Sequence, residues 1–202
     1  MRGKRLCNIL LVSAGMLLCS CSISKSSLVQ YYSKHQKVLD SIEASYKNLY
    51  RLNPFSIGFT DRSFNYVSVT IITDTLQYIY DFGVDEPRLK DTLSKYELNE
   101  TAVIKLIKQM RTVHCTWINN LVYYENTKAQ PMTFISIRPI ALHAPFMYKK
   151  YYILAYFSQP QYFDSEGRLF AGKRKRRLRK INDEVFLRLN DKVCYTISEN
   201  FR

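Results

Sequence analysis

One long stripe constrains this chain more than any other feature. Leu28, Tyr32, His35, Leu39, Ile42, Tyr46 and Leu49 recur at steps of three and four residues, the spacing that stacks side chains on one face of an α-helix. Pro54 stops the pattern, because proline lacks the N–H donor and clashes inside a helix. A helix over Leu28–Leu52 follows, with Lys34, Lys37, Asp40, Glu43 and Lys47 on its polar face. A stripe this regular has to be covered, and the residues that follow it supply a sheet.

Val67, Val69 and Ile71 alternate with polar or small residues, Thr73-Asp74 makes a tight turn, and Leu76, Tyr78, Tyr80 and Phe82 alternate on the return. Period-two patterns joined by a turn predict a β-hairpin. Ser56–Thr60 adds a short strand before it. Pro87 opens a second helix running to about Tyr96, and Asn99 caps a third, with Val103, Leu106, Ile107 and Met110 buried. Further strands are expected at 113–124, 132–138 and 151–157, with a proline-containing loop over 139–146. The segment after Leu178 reads two ways. Leu178, Ile181, Val185 and Leu189 fit a helix, favoured here because Arg and Lys are good helix formers; Val185, Leu187 and Leu189 also fit a strand with Asn190-Asp191 as its turn. A strand over Val193–Ile197 closes the chain. Neighbouring strands on short connections predict an α+β fold: an antiparallel sheet packed against the long N-terminal helix and two to three further helices.

The first twenty-one residues have a different logic. Arg2, Lys4 and Arg5 precede an apolar run from Leu6 to Leu18, too short for a membrane-spanning helix, which needs roughly 20 apolar residues, but suited to a signal peptide. The run ends in Leu18-Cys19-Ser20-Cys21. This resembles the lipobox of bacterial lipoproteins, with Cys21 as acceptor because Ser20 before it is small, whereas Leu18 before Cys19 is bulky. The resemblance implies diacylglycerol on the Cys21 sulfur, cleavage after Ser20 and acylation of the new amine. Several acyl chains are needed for stable anchoring. It also implies a place in the cell envelope and, because Ser22 is not acidic, at the outer membrane. The organisation is therefore a signal peptide over 1–20, a polar tether over 21–27, and one α+β domain over 28–202. The segments Tyr151–Phe157 and Asp191–Ser198 are similar to uncharacterised lipoproteins of gut Bacteroidetes, a resemblance that carries no activity with it.

Charge is concentrated rather than spread. The net +13 includes three positives in the signal segment, and seven more lie in the eight residues from Lys173 to Lys180, which leaves only +3 elsewhere. Lys173, Arg174, Lys175, Arg176, Arg177, Arg179 and Lys180 form a candidate anion-binding segment. On a helix they would sit at the positive end of the macrodipole, a cost that an anionic partner relieves. An anionic glycan, lipopolysaccharide or an acidic protein fits that role; nucleic acid does not fit a chain anchored outside the cytoplasm, and no nucleic-acid-binding signature is present. The aromatic series Tyr148, Tyr151, Tyr152, Tyr156, Phe157, Tyr162 and Phe163 divides between rungs of the sheet and an outer face open to sugars or protein.

Catalytic motifs are scarce. His35, His114 and His143 have no metal-ligand spacing, no Gly-x-Ser-x-Gly elbow occurs, and six glycines in 202 residues leave little for a phosphate cradle. No cofactor is expected. Cys115 and Cys194 would face an oxidising compartment as a candidate disulfide, yet both lie in apolar strands where buried free thiols are common. The expectation is a non-catalytic binding or adaptor module with a basic and aromatic surface. The alternative is an envelope hydrolase using His143 with Cys115 or an aspartate.

Overall fold

A computed structural model describes residues 25–125, 128–138, 150–172 and 175–198. The lipobox with Cys21, the signal segment, Lys173, Arg174, His143 and Tyr148 lie outside these residues, as do the side chains of Lys175 and Arg176. In chain order the elements are α1 (Lys25–Tyr50), β1 (Phe55–Phe59), β2 (Tyr66–Ile72), β3 (Gln77–Gly83), α2 (Pro87–Lys95), α3 (Glu100–Thr112), β4 (Cys115–Glu125), β5 (Lys128–Ile137) and β6 (Tyr151–Phe157). Six short strands follow: β7 (Phe170–Gly172), β8 (Lys175–Leu178), β9 (Lys180–Ile181), β10 (Glu184–Val185), β11 (Leu187–Arg188) and β12 (Val193–Ser198). The first helix starts at Lys25, so the last three residues of the expected tether are helical. No helix among the described residues is long and apolar enough to cross a membrane.

The main sheet has eight strands in the order β11-β12-β6-β5-β4-β1-β2-β3, every neighbour antiparallel. This is the expected α+β architecture. One face is covered by helices. Leu28, Tyr32, Leu39, Ile42, Tyr46 and Leu49 of α1 are buried with Phe55 and Ile57 of β1, Val67 and Val69 of β2, and Ile135 and Leu154 of β5 and β6. A fully buried Leu or Ile contributes roughly 1.5–3 kcal/mol, so this face holds most of the stability. Helix α3 joins it through Val103, Leu106, Ile107 and Met110, and its N-terminus is capped as expected, the Asn99 side chain accepting a hydrogen bond from the Ala102 N–H.

Among the described residues the opposite face is covered over only part of its width. A second apolar cluster joins Phe134, Ile153, Ala155, Phe157 and Cys194 of the sheet to Leu169, Ile181 and Phe186 of the C-terminal arm. Here the structure corrects the sequence expectation: Leu178–Leu189 is not a helix but a chain of short strands. Asn182 and Asp183 both adopt positive φ, 48° and 61°, and pair Lys180-Ile181 with Glu184-Val185. Two consecutive left-handed residues are the signature of a type I′ hairpin, and Asn and Asp tolerate them. The turn therefore overrides the helical spacing, and with the helix goes the dipole cost assigned to the basic run. Asn190-Asp191 forms the turn of the strand alternative, the Asn190 side chain accepting from the N–H groups of Lys192 and Val193.

The candidate disulfide is also corrected. Cys115 and Cys194 are buried free thiols. Cys115 pairs with Ile137 beneath the helices and Cys194 with Ala155 on the other face. Three strand spacings separate them, about 14 Å, whereas a bridge needs Cα atoms within about 7 Å.

Candidate functional site

Where the C-terminal arm stops short, the second face is left uncovered by the other described residues. Beyond it lies a cleft of about 560 Å³ over β1, β2 and the start of β4, within the roughly 300–1,000 Å³ range of small-molecule sites. Its floor comes from sheet register. Ser56 pairs with Thr70 and Thr70 with Ile79, while Gly58 pairs with Ser68 and with Trp117. These are the alternate residues of strands whose other side chains are buried beneath the helices, so period-two alternation puts small hydroxyl groups on this face.

A bulge shapes the wall. The β4–β5 register shifts between Cys115 and Trp117, so Thr116 is an extra residue, and Thr116 and Trp117 both line the cleft. Bulges re-aim side chains in this way. Thr116 is fixed through its hydroxyl, which lies 3.2 Å from the Ser136 carbonyl as donor and 3.1 Å from the Ser136 hydroxyl. Trp117 leans over Gly58: a Cβ there would stand 3.1 Å from indole Cδ1, so glycine is what lets the ring lie down. Tyr151 of β6 completes the aromatic lining.

Two arginines line the same space, Arg62 and Arg138. Arg62 stands in the β1–β2 loop, which is tightly organised. The Asp61 carboxylate accepts hydrogen bonds from the N–H groups of Asn65, Tyr66 and Ser63 at 2.9, 2.9 and 3.1 Å. Burial alone raises this carboxyl, but those N–H groups outweigh it and hold Asp61 below the ordinary carboxylate range. Phe64 is buried at φ 58°, a conformation that costs a non-glycine residue about 1–2 kcal/mol. Its ring contacts with Phe59 and His114 at 4.9 and 5.6 Å hold it there. The Arg138 guanidinium lies 5.3 Å from the same ring. Among the described residues neither arginine forms an ion pair with a carboxylate, and no acidic residue lines the cleft. A second depression of about 490 Å³, between α1 and the β12 turn, differs: Asp40, Glu43 and Asp191 there face Lys47 and Lys192. Of the two, the first has arginines and no carboxylate among its described lining residues.

The basic run is less free than its composition suggested. Arg177 and Lys180 are exposed. Arg179 turns inward: it donates to the Gln161 side chain and to the Ala171 carbonyl, both at 2.9 Å, and lies 5.0 Å from the Tyr123 ring. Gln161 is itself buried and donates to the Tyr123 hydroxyl. Arg179 thus braces the C-terminal arm. The aromatic series divides as alternation requires: Tyr152 and Tyr156 lie under the helices, Phe157 and Phe163 join the second core, and Tyr162 is exposed.

Cys115 is no nucleophile in this setting. It is fully buried, and burial pushes its thiol up to about 12, the opposite of an activated cysteine. Among the described residues no group of three or more His, Cys, Asp or Glu side chains is placed to hold a metal ion. Of the cleft residues only Tyr151 stands out in the sequence, because the others come from distant segments. The signals were a glycine inside an alternating strand, the single tryptophan, and the Ser/Thr alternation in β1 and β2. No protein-family model matches the chain, and neither a curated protein nor a solved structure matches it significantly.

Proposed function

We propose that this chain is a lipid-anchored envelope protein whose folded domain is a binding module for an anionic envelope component, received in the cleft on the open sheet face. The observation that carries the reading is the pair Arg62 and Arg138, two arginines without a carboxylate partner among the described residues, lining a space shared with hydroxyl and aromatic groups. Guanidinium groups match carboxylate and phosphate geometry, and the Asp61 hydrogen bonds order the backbone of the loop that carries Arg62.

The anchor geometry supports the same reading. From Cys21 to the start of α1 there are four Cα–Cα steps, at most about 14 Å. The first turns of α1 pack at the cleft's end of the sheet: the Tyr31 hydroxyl donates to the Val113 carbonyl, and its ring lies 6.0 Å from that of Tyr152, the neighbour of Tyr151. Acylation of Cys21 would hold the cleft close to the membrane surface, among anionic headgroups and glycans.

The test has two arms. Metabolic labelling with palmitate is expected to mark the protein and to be lost in Cys21→Ser but not in Cys19→Ser. Isolated envelope polyanion is expected to bind the wild-type protein and to bind Arg62→Gln/Arg138→Gln at least tenfold more weakly. Equal binding by the double variant would remove the cleft from the account.

A further inference from the structure

We infer that the ligand of this cleft is an acidic saccharide, an anionic sugar unit stacked on Trp117 with its charged group between Arg62 and Arg138. The inference rests on the binding-module reading above and specifies its ligand. Charge alone would suit any polyanion, but the cleft is not built of charge alone. An amphipathic ring offers an apolar face and a polar edge, and Trp117 is held over Gly58 with part of its surface open to the cleft. Beside it the floor is a flat patch of sheet whose rungs stand about 7 Å apart along the strands and about 4.8 Å across them. Ser56, Ser68 and Thr70 place their hydroxyl groups on that grid. A sugar ring has the matching character: C–H groups on its faces and hydroxyl groups around its edge at short, regular spacing.

The surroundings argue against other anions. A lipid tail would need a continuous apolar wall, and here the hydroxyl groups of Ser56, Ser68, Thr70 and Thr116 interrupt the apolar Phe59, Ile79 and Trp117. A bare phosphate chain has no use for an aromatic platform. Asp81, which pairs with Ser68 on the neighbouring strand β3, stands on the same face outside the cleft lining, where it can accept hydrogen bonds from hydroxyl groups of the next sugar unit. The site therefore combines one platform, two cations and a row of small donors and acceptors.

The experiment is calorimetric titration of the full-length lipidated protein in detergent micelles. The probes are a carboxylated oligosaccharide, a phosphorylated oligosaccharide, a neutral oligosaccharide of equal length and sugar-free polyphosphate. The inference expects at least one acidic oligosaccharide to bind at least tenfold more tightly than both the neutral sugar and polyphosphate. Trp117→Leu, which stays apolar but removes the aromatic face, is expected to lose about tenfold and Arg138→Gln tenfold or more, while Trp117→Phe stays within about threefold; circular dichroism confirms that each variant is folded. If polyphosphate binds as well as the acidic sugars and Trp117→Leu has no effect, the saccharide inference is overturned and the anion-binding reading survives. If none of the anionic probes binds, both fall.

Discussion

Trp117 lies over Gly58, its Cδ1 atom 3.1 Å from the point where a side chain at position 58 would begin. Because Trp117 is the sole tryptophan, this contact can be followed by its fluorescence. Gly58→Val forces the indole off the strand. The expected result is a shifted emission maximum and weakened ligand binding, with a stability loss of about 1–3 kcal/mol from overpacking measured by urea denaturation. Unchanged emission in a folded variant would mean that the ring does not depend on Gly58.

The inward arginine gives a second prediction. Arg179→Ala removes two hydrogen bonds and a ring contact and leaves buried Gln161 short of a partner, so it is expected to cost about 1–3 kcal/mol. Arg179→Lys should not restore the loss, since an ammonium cannot reproduce the planar fork. Arg177→Ala and Lys180→Ala, both at exposed positions, should stay within about 0.5 kcal/mol of wild type. Denaturant midpoints of the four variants separate a structural brace from a run of equivalent surface charges.

Asp61 links the cleft rim to pH. Its carboxyl is held below the ordinary range in the folded protein, so the folded state binds fewer protons there than the unfolded chain. The stability this contributes is fully present above the unfolded value of about 4 and is lost as pH falls toward the lower folded value. Asp61→Asn is expected to flatten the acid limb of a stability–pH profile below about pH 4 and to leave its slope near neutrality unchanged. A variant with an unaltered acid limb would show that Asp61 does not couple to folding.

The thiols test the two-faced core. Cys115 and Cys194 are free and buried, and Cys115 is pushed up to about 12. Iodoacetamide at pH 8 is expected to leave both unmodified in the folded protein and to alkylate both once it is unfolded, without prior reduction. A requirement for reductant would point to a disulfide and contradict the strand order.

What could be read from the sequence was local. The α1 stripe, the proline that opens α2, the Asn99 cap and the Val67–Phe82 hairpin all depend on residues within a few positions of one another, and each stands where its pattern put it except at the hairpin's turn, where Ile72 pairs with Gln77 and the loop takes in Leu76 as well as Thr73-Asp74. The Leu178–Leu189 segment went the other way because one turn outweighed it. Helical spacing there was a coincidence of four apolar residues, while Asn182-Asp183 set the backbone at two positive-φ positions. The cleft was hidden for another reason. Ser56, Thr70, Trp117 and Arg138 meet only through pairing across four strands, and the bulge at Thr116 shifts the alternation that would have placed Trp117 beneath the helices with Cys115.

The most direct test of the account is a photo-crosslinking amino acid placed, in living cells, at Thr70 on the cleft floor or at Arg177 on the exposed basic segment. The account predicts an adduct with an anionic envelope component from position 70, abolished by Arg62→Gln/Arg138→Gln. An adduct from position 177 with none from position 70 would contradict it and return the binding role to the basic run.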